Sequence, residues 1–280
     1  MRLLAGWNIL KLWLLVAGFC AGLGGLGWLL GGSRLLSIFV FSGLLVVGSV
    51  YLLADRLVLG MVRARELQLG EAPAAHAALR RLARRAGVEQ PKLFLIPGGH
   101  PRALAAGRGP RTATIAVSAG LLSALRPEQL EGVLAHELAH VRQRDVLLQT
   151  AAVVLGVSLI EASRLGGLPF LERALLFVLG PTAAAFVHLL LSPKRELRAD
   201  RLAARLCESP HGLADALIRL EGAGELVELR ASPATEPLYT INPFSHEGLE
   251  ALFETHPPVG DRVRRLRALD PDWRRRLRAA

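Results

Sequence analysis

His136-Glu137-Leu138-Ala139-His140 sets two imidazoles four residues apart, with a carboxylate beside the first. In a helix four residues advance by about 400°, so His136 and His140 project from nearly the same face and can grip one tetrahedral metal. Imidazole nitrogens suit Zn²⁺. Glu137 stands where its carboxylate can take a proton from water and pass it to a leaving amine. This is the chemistry of metal-assisted hydrolysis. Chance produces such a spacing in on the order of one chain in a hundred of this length and composition, so a third ligand is the test of the motif.

The best third ligand is Glu196, in Glu196-Leu197-Arg198-Ala199-Asp200, where two carboxylates share one face of a second helix. Glu196 would complete a His-His-Glu set and leave the fourth position open, as catalytic zinc requires. Asp200, one turn on, can accept a hydrogen bond from a ligand imidazole and fix its tautomer. The competing reading is a solvated face on which both acids pair with Arg195, Arg198 or Arg201.

Several elements must position these groups. The motif helix is expected over 127–145, with Pro127 at its first position, Glu128 at the positive dipole end and Leu130, Leu134, Leu138 and Val141 along one stripe. Arg126 is a poor N-cap. Ahead of it, Lys92–Ile96 and Thr112–Ser118 read as short strands set between glycines and prolines. Residues 55–90 read as an amphipathic helical connector. After the motif, helices are expected over 194–208 and 211–230, with an Arg-rich helix at the C-terminus.

The composition places this domain on a membrane. Of the 280 residues 51% are hydrophobic, more than in an ordinary soluble enzyme, and the excess clusters near the N-terminus and over 146–192. Trp7–Gly32 and Leu35–Ala54 are each long enough to cross a bilayer and are joined by a turn holding Arg34. A cleaved signal peptide is the alternative for the first, but a second span follows at once. Arg2 precedes the pair and Arg56, Arg63 and Arg65 follow it, which puts both the N-terminus and the main domain in the cytosol. Residues 146–192 are expected to form a second transmembrane hairpin rather than helices lying partly on the protein or at the interface, although Gln149, Thr150, Glu172, Arg173, Pro181 and His188 interrupt the apolar stretches. The net charge of +10 therefore fits lipid and topology, and no motif points to a nucleic-acid partner. Cys20 and Cys207 draw no disulfide framework. The expected organisation is a hairpin over 1–54, a first catalytic segment over 55–145, a hydrophobic insertion over 146–192 and a second catalytic segment over 193–280.

Read together, the hydrophobic pair, GLLSALRPEQLEGVLAHELAHVRQRD, the insertion, RELRAD, INPF and LFETHPP follow one order along nearly the whole chain. In that order the chain resembles the HtpX-type membrane zinc endopeptidases, in the wider group that also holds the CAAX prenyl-protein proteases. The resemblance implies a mostly α (α+β) domain of the gluzincin kind with a small β-sheet. It implies one zinc per chain held by His136, His140 and Glu196, with Glu137 catalytic. It further implies a multi-pass protease of the bacterial plasma (inner) membrane that degrades damaged or misassembled membrane proteins from the cytosolic side, so its partners are protein substrates and the bilayer.

By the same resemblance Asp145 ends the active-site helix as a structural or supporting acid, and His256 and Arg262 fall near the site. His256 is either an oxyanion stabiliser or a loop histidine held by packing. Arg102, Ala103, Leu104 and Ala105 match an edge segment whose backbone pairs with extended substrate, with Arg102 where the family usually has Asn. His76, His100, His188, His211 and His246 have no partner at ligand spacing and read as surface or loop residues. Two rival functions remain: a site-specific processing protease like the CAAX enzymes, against which stands the small number of spans, and a silent membrane adaptor, against which stands the intact metal set.

Overall fold

The computed structural model of this chain describes residues 2–147, 193–222, 257–270 and 272. The expected second hairpin lies outside the described residues but for its first two positions. So do residues 223–230 of the expected 211–230 helix.

Helix α1 runs Arg2–Met61, but Gly31 and Gly32 break it; Gly32 has φ 66° and ψ −151°, a conformation open only to glycine. The chain folds back there. A Cβ on Gly27 would sit 2.6 Å from the Leu35 carbonyl oxygen, and one on Gly24 2.9 Å from Val40 Cγ2. Small residues thus let the two limbs of the hairpin touch. The second limb, Gly31–Leu53, is 23 residues long with a mean hydropathy of 2.3; at about 1.5 Å per residue it exceeds the roughly 30 Å of a hydrocarbon core. It is the one candidate span among the described residues. Within the expected first span, Trp7–Gly32, the stretch Val16–Leu29 is a shorter apolar helix.

The expected helical connector over 55–90 is corrected. Arg63 adopts φ 51° and ends α1, after which β1 (Arg65–Glu66) pairs with β2 (Lys92–Ile96), and only Pro73–Ala86 forms a helix, α2. Gly87 in the left-handed region closes α2. The sheet is completed by β3 (Ala103–Ala106) and β4 (Thr114–Ser118) in the order β1-β2-β4-β3. Strands β2 and β4 are parallel, and the other two pairings are antiparallel. Strand β4 starts two residues later than expected, because the Thr112 N–H donates to the Gly109 carbonyl in the preceding turn.

The sheet separates two apolar layers. On one face Leu104, Ala106, Ala116 and Ile96 pack on Val58 and Leu59 at the end of α1. On the other, Leu93, Ala103, Ile115 and Val117 join the main core with the helices. Helices α3 (Ala119–Ala124) and α4 (Pro127–Gln143) follow β4; α5 (Pro193–Leu206), α6 (His211–Gly222) and α7 (Val259–Arg267) complete the described domain.

Helices α4 and α6 meet backbone to backbone. A Cβ on Gly132 would lie 2.5 Å from Leu213 N, and one on Gly212 2.3 Å from the Glu128 carbonyl oxygen. Gly132→Ala gains about 1 kcal/mol of helix propensity. Overpacking a contact that cannot yield costs about 1–3 kcal/mol, and backbone neighbours put the change at the upper end. The expected result is a lower melting temperature in detergent. A raised one would mean that the helices part freely.

Candidate metal centre

Helix α4 is built to stop just after its second histidine. At its start Pro127 fills the first turn, and the Gln129 side chain accepts the Arg126 N–H at 2.9 Å, which offsets the weak N-cap. At its end Arg144 takes φ 59°, and the Asp145 N–H returns to the His140 carbonyl at 3.0 Å. This turn brings the Asp145 carboxylate back beside the ring of His140.

His136 Nε2 and His140 Nε2 lie 3.2 Å apart. Across α4, helix α5 delivers Glu196, whose Oε2 is 3.3 Å from His136 Nε2 and whose Oε1 is 3.5 Å from His140 Nε2. All three residues are buried. A tetrahedral centre with bonds of about 2.0–2.1 Å needs its donors about 3.3–3.4 Å apart, so this triangle has the right size for zinc.

The second nitrogen of each ring strengthens the case. His136 Nδ1 is 2.9 Å from Asp200 Oδ1, and His140 Nδ1 is 3.5 Å from Asp145 Oδ2. With each Nδ1 proton turned toward a carboxylate, both Nε2 atoms are bare lone pairs facing each other and a third anionic donor. A proton or a metal cation satisfies that arrangement in a buried site. Protonation shows the same demand: burial opposes charge on His140, yet Glu196 and Asp145 outweigh it and raise its pKa to about 10. His136 is likewise raised against its burial by Asp200 and Glu196. The donor set therefore fits a divalent metal.

An arginine stands behind each carboxylate. Arg262 of α7 donates from Nε to Asp200 Oδ2 at 2.9 Å and from Nη2 to Oδ1 at 2.7 Å, a buried two-pronged pair. Burial would push the Asp200 carboxyl up, but Arg262 holds it at about 2. Arg195 Nε lies 3.3 Å from Asp145 Oδ1, and its Nη2 donates to the Asp145 carbonyl. Asp145 stays below the usual carboxylate range despite its burial, through His140 and Arg195. The competing solvated-face reading pairs Arg195 with Glu196 or Asp200, whereas the structure sets it on Asp145. Its bond to Asp145 spans fifty residues, which no local spacing reveals.

Glu137 is buried at 6% exposure, close enough for its charge to act on both His140 and Arg262. His256 lies outside the described residues. Strand β3, which holds Ala103, Leu104 and Ala105, lies at one edge of the sheet with β1 at the other, and α4 packs beside it. The Ser118 N–H donates to the Arg102 carbonyl, so Arg102, Leu104 and Ala106 turn their backbone toward β4. By antiparallel alternation Ala103 and Ala105 turn theirs to the open edge. Two other readings change. His211 is half-buried, with Nε2 2.9 Å from Asp270 Oδ2, rather than a free surface residue. The Arg-rich C-terminal helix is split: Arg262 and Leu266 are buried while Arg264 and Arg265 face solvent.

Known proteins resemble the chain over most of its length. Residues 70–270 match Peptidase family M48. A "Protease HtpX homolog" of Pelotomaculum thermopropionicum is 37% identical over 278 residues, covering 94% of this chain and 99% of the relative. Another from Pyrococcus abyssi is 38% identical over 279 residues, covering 93% and 96%. Among solved structures, Ste24p of S. mikatae superposes with a TM-score of 0.50 at 19% identity; the match takes in 95% of this chain and 66% of that one, and shows a shared fold. With a profile match over most of its length and full-length relatives, the chain belongs to Peptidase family M48, among its HtpX-like proteases.

Proposed function

We propose that the chain is a zinc-dependent endopeptidase anchored in the plasma (inner) membrane, acting from the cytosolic side on damaged or misassembled membrane proteins. The observation that carries the reading is the convergence of His136 Nε2, His140 Nε2 and the Glu196 carboxylate in one buried triangle. The relatives named as HtpX proteases support the hydrolytic reading, and the apolar limb Gly31–Leu53 supports the anchor.

His136, His140 and Glu196 would hold the metal, one ion per chain. When bound, zinc supplies a Lewis acid that polarises a carbonyl and makes water more acidic. Asp200 and Asp145 keep the rings in the Nδ1–H tautomer and fix their orientation. Glu137 takes the proton of the attacking water and returns it to the leaving amine. Ala103 and Ala105 turn their N–H and C=O groups away from β4, toward a sheet edge that no other strand occupies among the described residues, and an extended substrate would add there as a strand, independent of its side chains. Such backbone pairing suits an enzyme that meets unfolded segments of many sequences.

Two measurements test the reading. Purified protein in detergent is expected to carry about one zinc per chain at this three-ligand site and to cleave casein, with cleavage lost to a chelator. A folded, zinc-loaded protein without cleavage would favour the adaptor. A topology reporter fused after Arg65 or at the C-terminus is expected on the cytosolic side. Activity on the outer side would reverse the orientation.

A further inference from the structure

The hairpin between β3 and β4 reaches back along α1. Arg108 Cζ lies 5.9 Å from the centroid of the Tyr51 ring, and Tyr51 belongs to the span Gly31–Leu53, two residues from its end. At about 1.5 Å per residue Tyr51 lies within roughly 3 Å of the level at which the span ends, and the Arg108 guanidinium packs over its ring. That level is the headgroup layer, where tyrosine is at home.

The hairpin tip is a built turn. Gly107 has φ 135°, and a Cβ there would meet the Thr112 carbonyl oxygen at 2.7 Å. The Arg108 N–H donates to Thr112 Oγ1, and the Thr112 N–H to the Gly109 carbonyl. The turn exposes Arg111 and half-buries Arg108, whose Nε is buried without a hydrogen-bond partner among the described residues. Asp55 is the only carboxylate in the α1 sequence, one turn beyond Tyr51, and no ion pair joins it to Arg108 among the described residues. Arg56 and Arg63 are exposed nearby in the sequence, so positive charge dominates this end of α1.

We infer that the β3–β4 hairpin tip is a docking element for anionic lipid headgroups, with Arg108 and Arg111 contacting the phosphates of the bilayer that α1 spans. Guanidinium groups bind phosphate through paired N–H donors, and a basic side chain near an anionic surface strengthens association roughly fivefold. The docked tip fixes the open edge of β3 at the membrane surface, where a segment slipping out of the bilayer first becomes available for pairing. This inference rests on the membrane reading above, and the experiment separates the two.

Full-length protein, with Cys20 and Cys207 replaced by Ala, receives a single labelled cysteine by Gly109→Cys at the tip, Glu89→Cys on an exposed loop or Leu44→Cys within the span. A Cβ at Gly109 meets nothing within 4 Å, so the label fits. Each protein is placed in nanodiscs of phosphatidylcholine or of its equimolar mixture with phosphatidylglycerol. Quenching by headgroup nitroxides, by nitroxides deep in the acyl chains and by aqueous iodide is then compared. In mixed discs the tip label is expected to be quenched by headgroup nitroxides and shielded from iodide relative to the Glu89→Cys label. Arg108→Gln with Arg111→Gln is expected to lower its docked-to-free ratio by roughly fivefold per arginine, as should removal of the anionic lipid. A tip label that behaves like the Glu89→Cys label in mixed discs, or that ignores the double substitution, overturns the inference. Deep quenching of the Leu44→Cys label reports the span itself; its loss would sink the membrane reading, whereas its presence beside an undocked tip sinks only this proposal.

Discussion

Glu137→Gln yields a folded, zinc-loaded protein whose hydrolytic rate falls by about 10² to 10⁴, the usual contribution of a general base. Glutamine keeps the size and much of the hydrogen bonding of glutamate, so α4 keeps its packing in the core. The ligand geometry is expected to persist because His136, His140 and Glu196 are held by α4, α5, Asp145 and Asp200 rather than by Glu137. What is lost is the one motif carboxylate assigned to proton transfer rather than to the metal. Cleavage of casein, and of the chain itself, in detergent with added zinc and with chelator as control, reads the effect. Cleavage at the parental rate would remove Glu137 from the mechanism.

Glu196→Ala empties the site. It removes the one candidate ligand among the described residues that is not on α4, and with it the charge that would draw a cation between the two rings. Loss of an outer partner such as Asp200 costs metal affinity about 10- to 100-fold, and loss of a direct ligand is expected to cost more. Zinc bound after gel filtration therefore falls well below one per chain, and activity falls with it. Asp200→Asn is the graded comparison: weakened metal binding with residual turnover. If Glu196→Ala held zinc as tightly as the parent, the third ligand would be another residue.

How far the sequence could be read follows from the range of each interaction. His136, Glu137 and His140 are legible because a helix converts a spacing of four into a shared face. Glu196 and Asp200 are legible by the same rule, and the structure brings Glu196 to both histidines and Asp200 to His136. The connector over 55–90 misled because β1 is two residues whose strand conformation comes from pairing with β2, not from their own propensity. Arginine and alanine there favour helix until Arg63 turns the chain. The pairing of Arg262 with Asp200 crosses 62 residues, and that of Arg195 with Asp145 crosses 50. Resemblance pointed to Arg262, but the atom it holds emerges only in three dimensions.

The bond between Arg262 and Asp200 also orders events in time. Asp200 is a buried acid held ionised by an arginine that the ribosome adds 62 residues later. Before that residue emerges, Asp200 has His136 beside it but lacks its two-pronged guanidinium, and a buried ion pair that loses one member costs about 3–5 kcal/mol. The half-made domain, with all three candidate ligands already synthesised, is thereby disfavoured from closing around a metal.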